Sequence, residues 1–144
     1  MRKKRISKAT VKKSTKSTTK PSASKEWTEG RFRAFITSTL RGGFRKYPPK
    51  YEVLKAALWG KKLNSKTGRQ CVHYTCASCK GEYPAKEVNV DHIDPVVCPE
   101  NGFIDWDTFI GRLFCPKENL QVLCSKCHTK KTKEERETRN GSKK

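Results

Sequence analysis

Among 144 residues, seven cysteines and three histidines carry most of the reactive chemistry, and their spacing sorts them. Cys76-Ala77-Ser78-Cys79 and Cys124-Ser125-Lys126-Cys127 are two Cys-x-x-Cys pairs far apart in the chain. Each pair makes a tight turn presenting two thiolates, and two such turns close a tetrahedral zinc site. Cys71 is a poorer knuckle partner for Cys76 than Cys79 is, and on order alone His128 could replace one cysteine as a ligand. Cys98 and Cys115 read as buried or free thiols, and His73 as structural. Inside the frame lie Val90-Asp91-His92-Ile93-Asp94-Pro95 and Glu118-Asn119-Leu120, with His128 directly after the last cysteine. Phosphodiester hydrolysis needs a deprotonated water and neutralised charge on the phosphate and the leaving oxygen. His92 suits the base because imidazole titrates near neutral pH, and Asp91 offers a hard oxygen to a divalent ion. Neighbours on a strand point to opposite faces, so both serve one phosphate only where the strand ends or twists. Asp94-Pro95 supplies such an end, and Asp94 is a weaker candidate for a supporting role.

The ordered set Asp91-His92, Asn119 and Cys127-His128, framed by both knuckles, resembles the HNH (His-Me finger) endonucleases. It is closest in kind to the small phage-type members with a four-cysteine zinc site, and the resemblance covers roughly residues 74–135. It implies an α+β, zinc-stapled ββα-metal nuclease core. It implies a structural Zn²⁺ on Cys76, Cys79, Cys124 and Cys127, with His92 as base. It also implies a catalytic divalent cation on Asp91 and His128: Mg²⁺ or Mn²⁺ first, Ni²⁺ or Zn²⁺ as further candidates. Asn119 then fixes the loop that orients the base. The products would carry a 5′-phosphate and a 3′-hydroxyl.

Charge is distributed to match such a role. The net charge is +19, yet residues 76–124 hold eight acids against four bases. Residues 1–25 hold ten Lys or Arg and no acid. An acidic island between basic flanks suits a divalent cation at its centre and a polyanion around it. The partner expected is double-stranded DNA, with phage proteins as further partners. An apolar fraction of 33% leaves a small core that a metal staple would reinforce. Paired cysteines, an odd count and no leader segment point to a reducing cytoplasm rather than a disulfide scaffold. No apolar run is long enough to span a membrane.

The elements that must position these residues follow from pattern. Residues 1–25 form an expected disordered basic arm, which cannot bury enough apolar surface to offset its ordering entropy. Residues 26–70 are expected as a helical DNA-binding extension. Its first helix runs over Glu29–Leu40, capped by Thr28 and ended by Gly42-Gly43. Its second runs from Pro48-Pro49 through Trp59 and stops at Gly60, before a turn-rich link to Arg69. Phe44 and Trp59 read first as hairpin core and only second as base-stacking rings. Arg31, Arg33, Arg41, Arg45, Lys46, Lys130 and Lys131 are the expected phosphate contacts.

Residues 71–138 form the expected nuclease domain, before a basic tail over 139–144. Its strands are expected at Cys71–Thr75, Glu87–Ile93 and Leu120–Leu123. A helix capped by Asp105 presents Trp106, Phe109, Ile110 and Leu113, and a last helix starts at Ser125 and runs to about Glu135. The alternatives to a DNA endonuclease are a non-catalytic zinc ribbon that binds nucleic acid, or a nicking factor within a phage packaging or recombination complex. The first would need neither Asp91-His92 nor His128.

Overall fold

The computed structural model describes residues 27–141. The arm expected over 1–25 and the final three residues of the basic tail lie outside them. Contacts divide the chain into two compact units at Thr37/Ser38, within helix α1 (Glu29–Phe44). In the first unit the Thr28 hydroxyl caps the helix by accepting from the Arg31 amide at 3.2 Å. Arg33 pairs with Glu29 at 2.8 Å, and Arg31 lies over the Trp27 ring at 4.9 Å. The helix does not stop at Gly42-Gly43. It continues to Phe44, whose ring is held in the second unit by Tyr47 at 5.9 Å and Phe114 at 6.4 Å. Tertiary packing outweighs the roughly 1 kcal/mol that each helical glycine costs relative to alanine.

The second unit is mixed α+β with two small antiparallel sheets. Helix α2 (Pro48–Ala56) begins with proline as expected but ends three residues before Trp59. Leu58–Leu63 is instead strand β1, paired antiparallel with β2 (Gln70–Thr75), which pairs with β3 (Glu82–Pro84). The Thr75 amide donates to the Ala57 carbonyl at 2.8 Å, closing α2 onto this sheet. Gly60 sits at φ 145°, which glycine alone takes readily, at the register shift between Leu58 and Gly60. The segment read as a helix end and linker is therefore a hairpin. The pairing crosses residue 70, where the sequence placed a boundary.

The second sheet is β4 (Val88–His92) against β5 (Leu120–Cys124), with Asp91 opposite Gln121 and His92 opposite Leu120. Helix α4 (Ser125–Gly141) follows β5 directly and outruns its expected end near Glu135. Between the two strands, α3 (Trp106–Leu113) is capped by the Asp105 carboxylate, which accepts from the Thr108 amide at 2.7 Å. That hydrogen bond holds the Asp105 carboxyl below its usual range. Phe109 and Leu113 are buried, each contributing about 1.5–3 kcal/mol, while Ile110 faces solvent. Cys76, Leu123 and Cys124 form the buried centre, with Tyr83 and Cys127 packed against it. No described helix is long and apolar enough to cross a membrane.

Candidate functional site

Two sites are built on the two sides of the α4 N-terminus. The first is a thiol cluster. Cys76 follows β2, and the turn beyond it returns through Lys80 at φ 58°, with the Cys76 amide on the Gly81 carbonyl at 2.9 Å. The Ala77 amide donates to the Val122 carbonyl at 2.8 Å, which stitches this knuckle to β5. Cys124 closes β5, and the Cys127 amide in the first turn of α4 points at its sulfur from 3.5 Å. The sulfurs of Cys76, Cys79, Cys124 and Cys127 all lie within 4.8 Å of one another. Cys79 and Cys124 stand 3.9 Å apart, and Zn–S bonds of about 2.3 Å in a tetrahedron set sulfurs about 3.8 Å apart. The donor set therefore fits a structural zinc ion. Cys71 and His128, both open as ligands on spacing, are outside the group. The Tyr83 hydroxyl lies 3.4 Å from Cys79, and with the Gly81 amide it lowers that thiol to about 6.

The second site gathers on Asp91. One carboxylate oxygen lies 3.9 Å from His128 Nε2, and the other accepts from Lys131 Nζ at 2.7 Å and from Gln121 at 3.4 Å. Lys131 also donates to the His92 carbonyl and pairs with Glu135 at 3.1 Å. Burial opposes its charge, but the Asp91 and Glu135 carboxylates prevail and hold Lys131 above its usual pKa. Consecutive helical residues project about 100° apart, so Cys127 faces the thiols while His128 faces Asp91. Two bonds of about 2.1 Å to one ion set their donor atoms about 3.0–4.2 Å apart, at angles from 90° to 180°. An aspartate oxygen and an imidazole nitrogen 3.9 Å apart fit that range.

His92 keeps different company from its neighbour, as strand pleating requires. Its Nε2 lies 2.9 Å from the Leu113 carbonyl, and its ring packs on Phe44 with centroids 4.9 Å apart. In the neutral ring, Nε2 donates to that carbonyl and leaves the Nδ1 lone pair as the basic atom. Asn119 clamps the backbone just beyond. Its carbonyl accepts from the Ile93 amide at 2.8 Å, and its side-chain oxygen accepts from the Asp94 amide at 2.9 Å. Asp91, His128 and Lys131 are thus brought together, and Asn119 is brought to the chain leaving His92. His73 is buried, with Nδ1 3.0 Å from the Cys71 carbonyl. Cys115 is buried and Cys98 half-buried, both apart from the thiol cluster.

Of the residues expected to meet phosphate, Arg31, Arg33, Arg41, Arg45, Lys46 and Lys130 are exposed. Lys130 stands 4.0 Å from Glu134. Lys131 does not offer an open charge, since its side chain is 24% exposed and engaged by two carboxylates. Two contributors carry other roles in the sequence reading, Lys131 as a phosphate contact and Phe44 as hairpin core. Lys131 follows His128 by three residues, and that helical spacing already placed both on one face. Phe44 is 48 positions from His92, and no local pattern could join them.

A protein of Lactococcus phage SK1 described as a probable HNH endonuclease is 39% identical to this chain over 66 residues. The match spans 46% of the chain and 62% of that protein, which is less than two thirds of its length. No family model matches the chain, and no solved structure does.

Proposed function

We propose that this chain is a metal-dependent endonuclease of the HNH type that hydrolyses phosphodiester bonds in DNA. One constellation carries the reading: Asp91 paired with His128, beside a His92 whose following backbone Asn119 clamps. The hairpin β4–β5 followed by α4 then corresponds to the ββα core of that family, stapled by zinc on the four thiolates. Asp91 and His128 would hold a divalent ion, which would supply neutralising charge at the phosphate and the leaving oxygen. His92 Nδ1 takes a proton from the attacking water, whose oxygen bonds to phosphorus as the bond to the 3′-oxygen breaks. That oxygen is protonated from solvent, leaving a 5′-phosphate and a 3′-hydroxyl. The Leu113 carbonyl keeps His92 in the tautomer that can do this, and Asn119 keeps its backbone in place.

A zinc ribbon that only binds nucleic acid would use the knuckles and basic surface but has no use for the Asp91–His128 pair. A nicking role inside a phage packaging or recombination complex would use the same chemistry. Cleavage of supercoiled plasmid with and without Mg²⁺ or Mn²⁺ tests the function. Metal-stimulated nicked or linear product is expected, and its absence overturns the reading. His92→Ala should lower the rate on the order of 10²–10⁴-fold, the typical cost of a lost general base. DNA affinity should stay near wild type, since affinity comes mostly from Lys and Arg on phosphates. An alanine variant that cuts at the wild-type rate would sink the mechanism.

A further inference from the structure

Beyond His128 the outer face of α4 borders an open groove of about 610 Å³. Thr129, Thr132, Lys133, Arg136 and Arg139 complete its lining, with no acid among them. Lys133 stands 3.8 Å from Glu137, whereas Arg136 and Arg139 form no ion pair among the described residues. Elsewhere on α4, Lys130 and Lys131 each face a glutamate one turn on. Two guanidinium groups are thus left exposed and unmatched at the end of a helix that begins at the thiol cluster.

We propose that this groove is the track for the phosphodiester backbone on one side of the scissile bond. At 100° per residue, Arg139, Thr132 and Arg136 lie about 20°, 40° and 80° round the helix from His128. At 1.5 Å per residue, Arg136 and Arg139 lie about 12 and 16 Å along it. A strand rises about 3.4 Å per nucleotide along the duplex axis, so the two arginines reach phosphates about four to five nucleotides from the one at Asp91 and His128. Guanidinium forks match phosphate oxygens, and the Thr132 hydroxyl adds a neutral donor between His128 and Arg136, while that of Thr129 donates to the Ser125 carbonyl. The chemistry selects a regularly spaced polyanion over an acidic peptide because the groove continues directly from His128. The inference rests on the nuclease reading for that direction, but its charge argument does not need catalysis.

The test is binding of a fluorescent 20-base-pair DNA duplex by the full chain, zinc retained and no other divalent ion added, across a salt series. Arg136→Ala/Arg139→Ala should flatten the log–log salt dependence by about 1.8, from two contacts at about 0.9 each. Arg136→Lys/Arg139→Lys should keep most of the slope. Lys55→Ala/Lys86→Ala, which removes equal charge from exposed positions outside the groove lining, should leave it unchanged. An unchanged slope in the arginine-to-alanine variant overturns the proposal, as does an equal loss in the Lys55/Lys86 control. Loss of slope in the lysine version, or a wild type that does not bind, overturns it too. A wild type that binds with the expected slope pattern yet cleaves nothing upholds the groove and removes the hydrolytic reading. Cleavage with an insensitive slope does the reverse.

Discussion

The thiol cluster and the Asp91 site share the first turn of α4 but are built in opposite ways. Cys76 and Cys124 are 0% and 1% exposed, and their backbones are tied to β5 and to the turn at Gly81. His128 and Asp91 keep side chains 39% and 18% exposed, and their contacts are polar and few. One arrangement draws chain segments together around four thiols, two buried, Cys127 half-buried and Cys79 exposed. The other leaves the imidazole exposed and the carboxylate partly so. A helix whose adjacent residues belong to both lets the thiol cluster fix the geometry of the Asp91 site, so the two should fail differently.

The largest expected effect is on the closed side. Structural zinc contributes apparent binding free energies of about 10–16 kcal/mol in small zinc-finger peptides, more than a domain of this size has to spare. Cys76→Ser, or a strong chelator, should abolish the cooperative thermal transition seen by circular dichroism. Purified protein that carries no zinc and still unfolds cooperatively would remove the basis of the comparison.

Legibility in the sequence followed the same division. The knuckles, β4, β5 and α4 were readable because ligand spacing and alternation express local geometry directly. Val88 and Val90 alternate with polar residues, and their partners on β5 are largely buried. The hairpin β1–β2 was not readable. Nearly every residue of β1 is exposed, so no alternation marks it, and its pairing with β2 decides its state. Gly42-Gly43 looked like a stop because the ring that carries α1 past it, Phe44, is anchored by distant partners. At the candidate site the side chains that meet at Asp91 are named by their order in the sequence, and their supports are not. The Leu113 carbonyl on His92 is a backbone atom with no signature in residue type. Lys131 was visible as a charge, but its carboxylate partner on another element was not.

On the open side, two variants should move one quantity in opposite directions. His128→Ala removes a proposed ligand, so half-maximal cleavage should need more Mg²⁺ or Mn²⁺ by 10-fold or more. Lys131→Met keeps the aliphatic stem but takes an ammonium off Asp91. The carboxylate then meets a divalent ion without that competing charge, and half-saturation should fall by several-fold. The same change should cost about 1 kcal/mol of stability, discounted for the partial exposure of Lys131. Direct Mn²⁺ binding followed by electron paramagnetic resonance reads both shifts without turnover. Shifts of the same sign would show that Asp91 does not hold the metal.

The smallest effect expected is a change in how firmly the closed site holds its ion. The Tyr83 hydroxyl lies 3.4 Å from Cys79, where it can donate to the thiolate, and it is the largest influence lowering this thiol from the ordinary 9.0 to about 6. A ligand thiol must lose its proton to bind zinc, so the hydroxyl favours the binding form at neutral pH. Tyr83→Phe keeps the ring in the core and removes only that donor. Cys79 should then titrate closer to its ordinary value and hold its proton at higher pH. On acidification, half of the zinc should therefore be released at a higher pH than in the wild type. Groups that orient ligands in this way typically affect affinity about 10-fold, well short of the loss from removing a thiolate. A zinc-release curve against pH checks the sign, and a midpoint that stays put or moves down would show that Tyr83 supports the knuckle only by packing. Gly81 sharpens the point, since a methyl group there would lie 2.9 Å from the Tyr83 ring. Gly81→Ala must push the hydroxyl off Cys79, so its midpoint should move in the same direction as that of Tyr83→Phe while every cysteine remains in place.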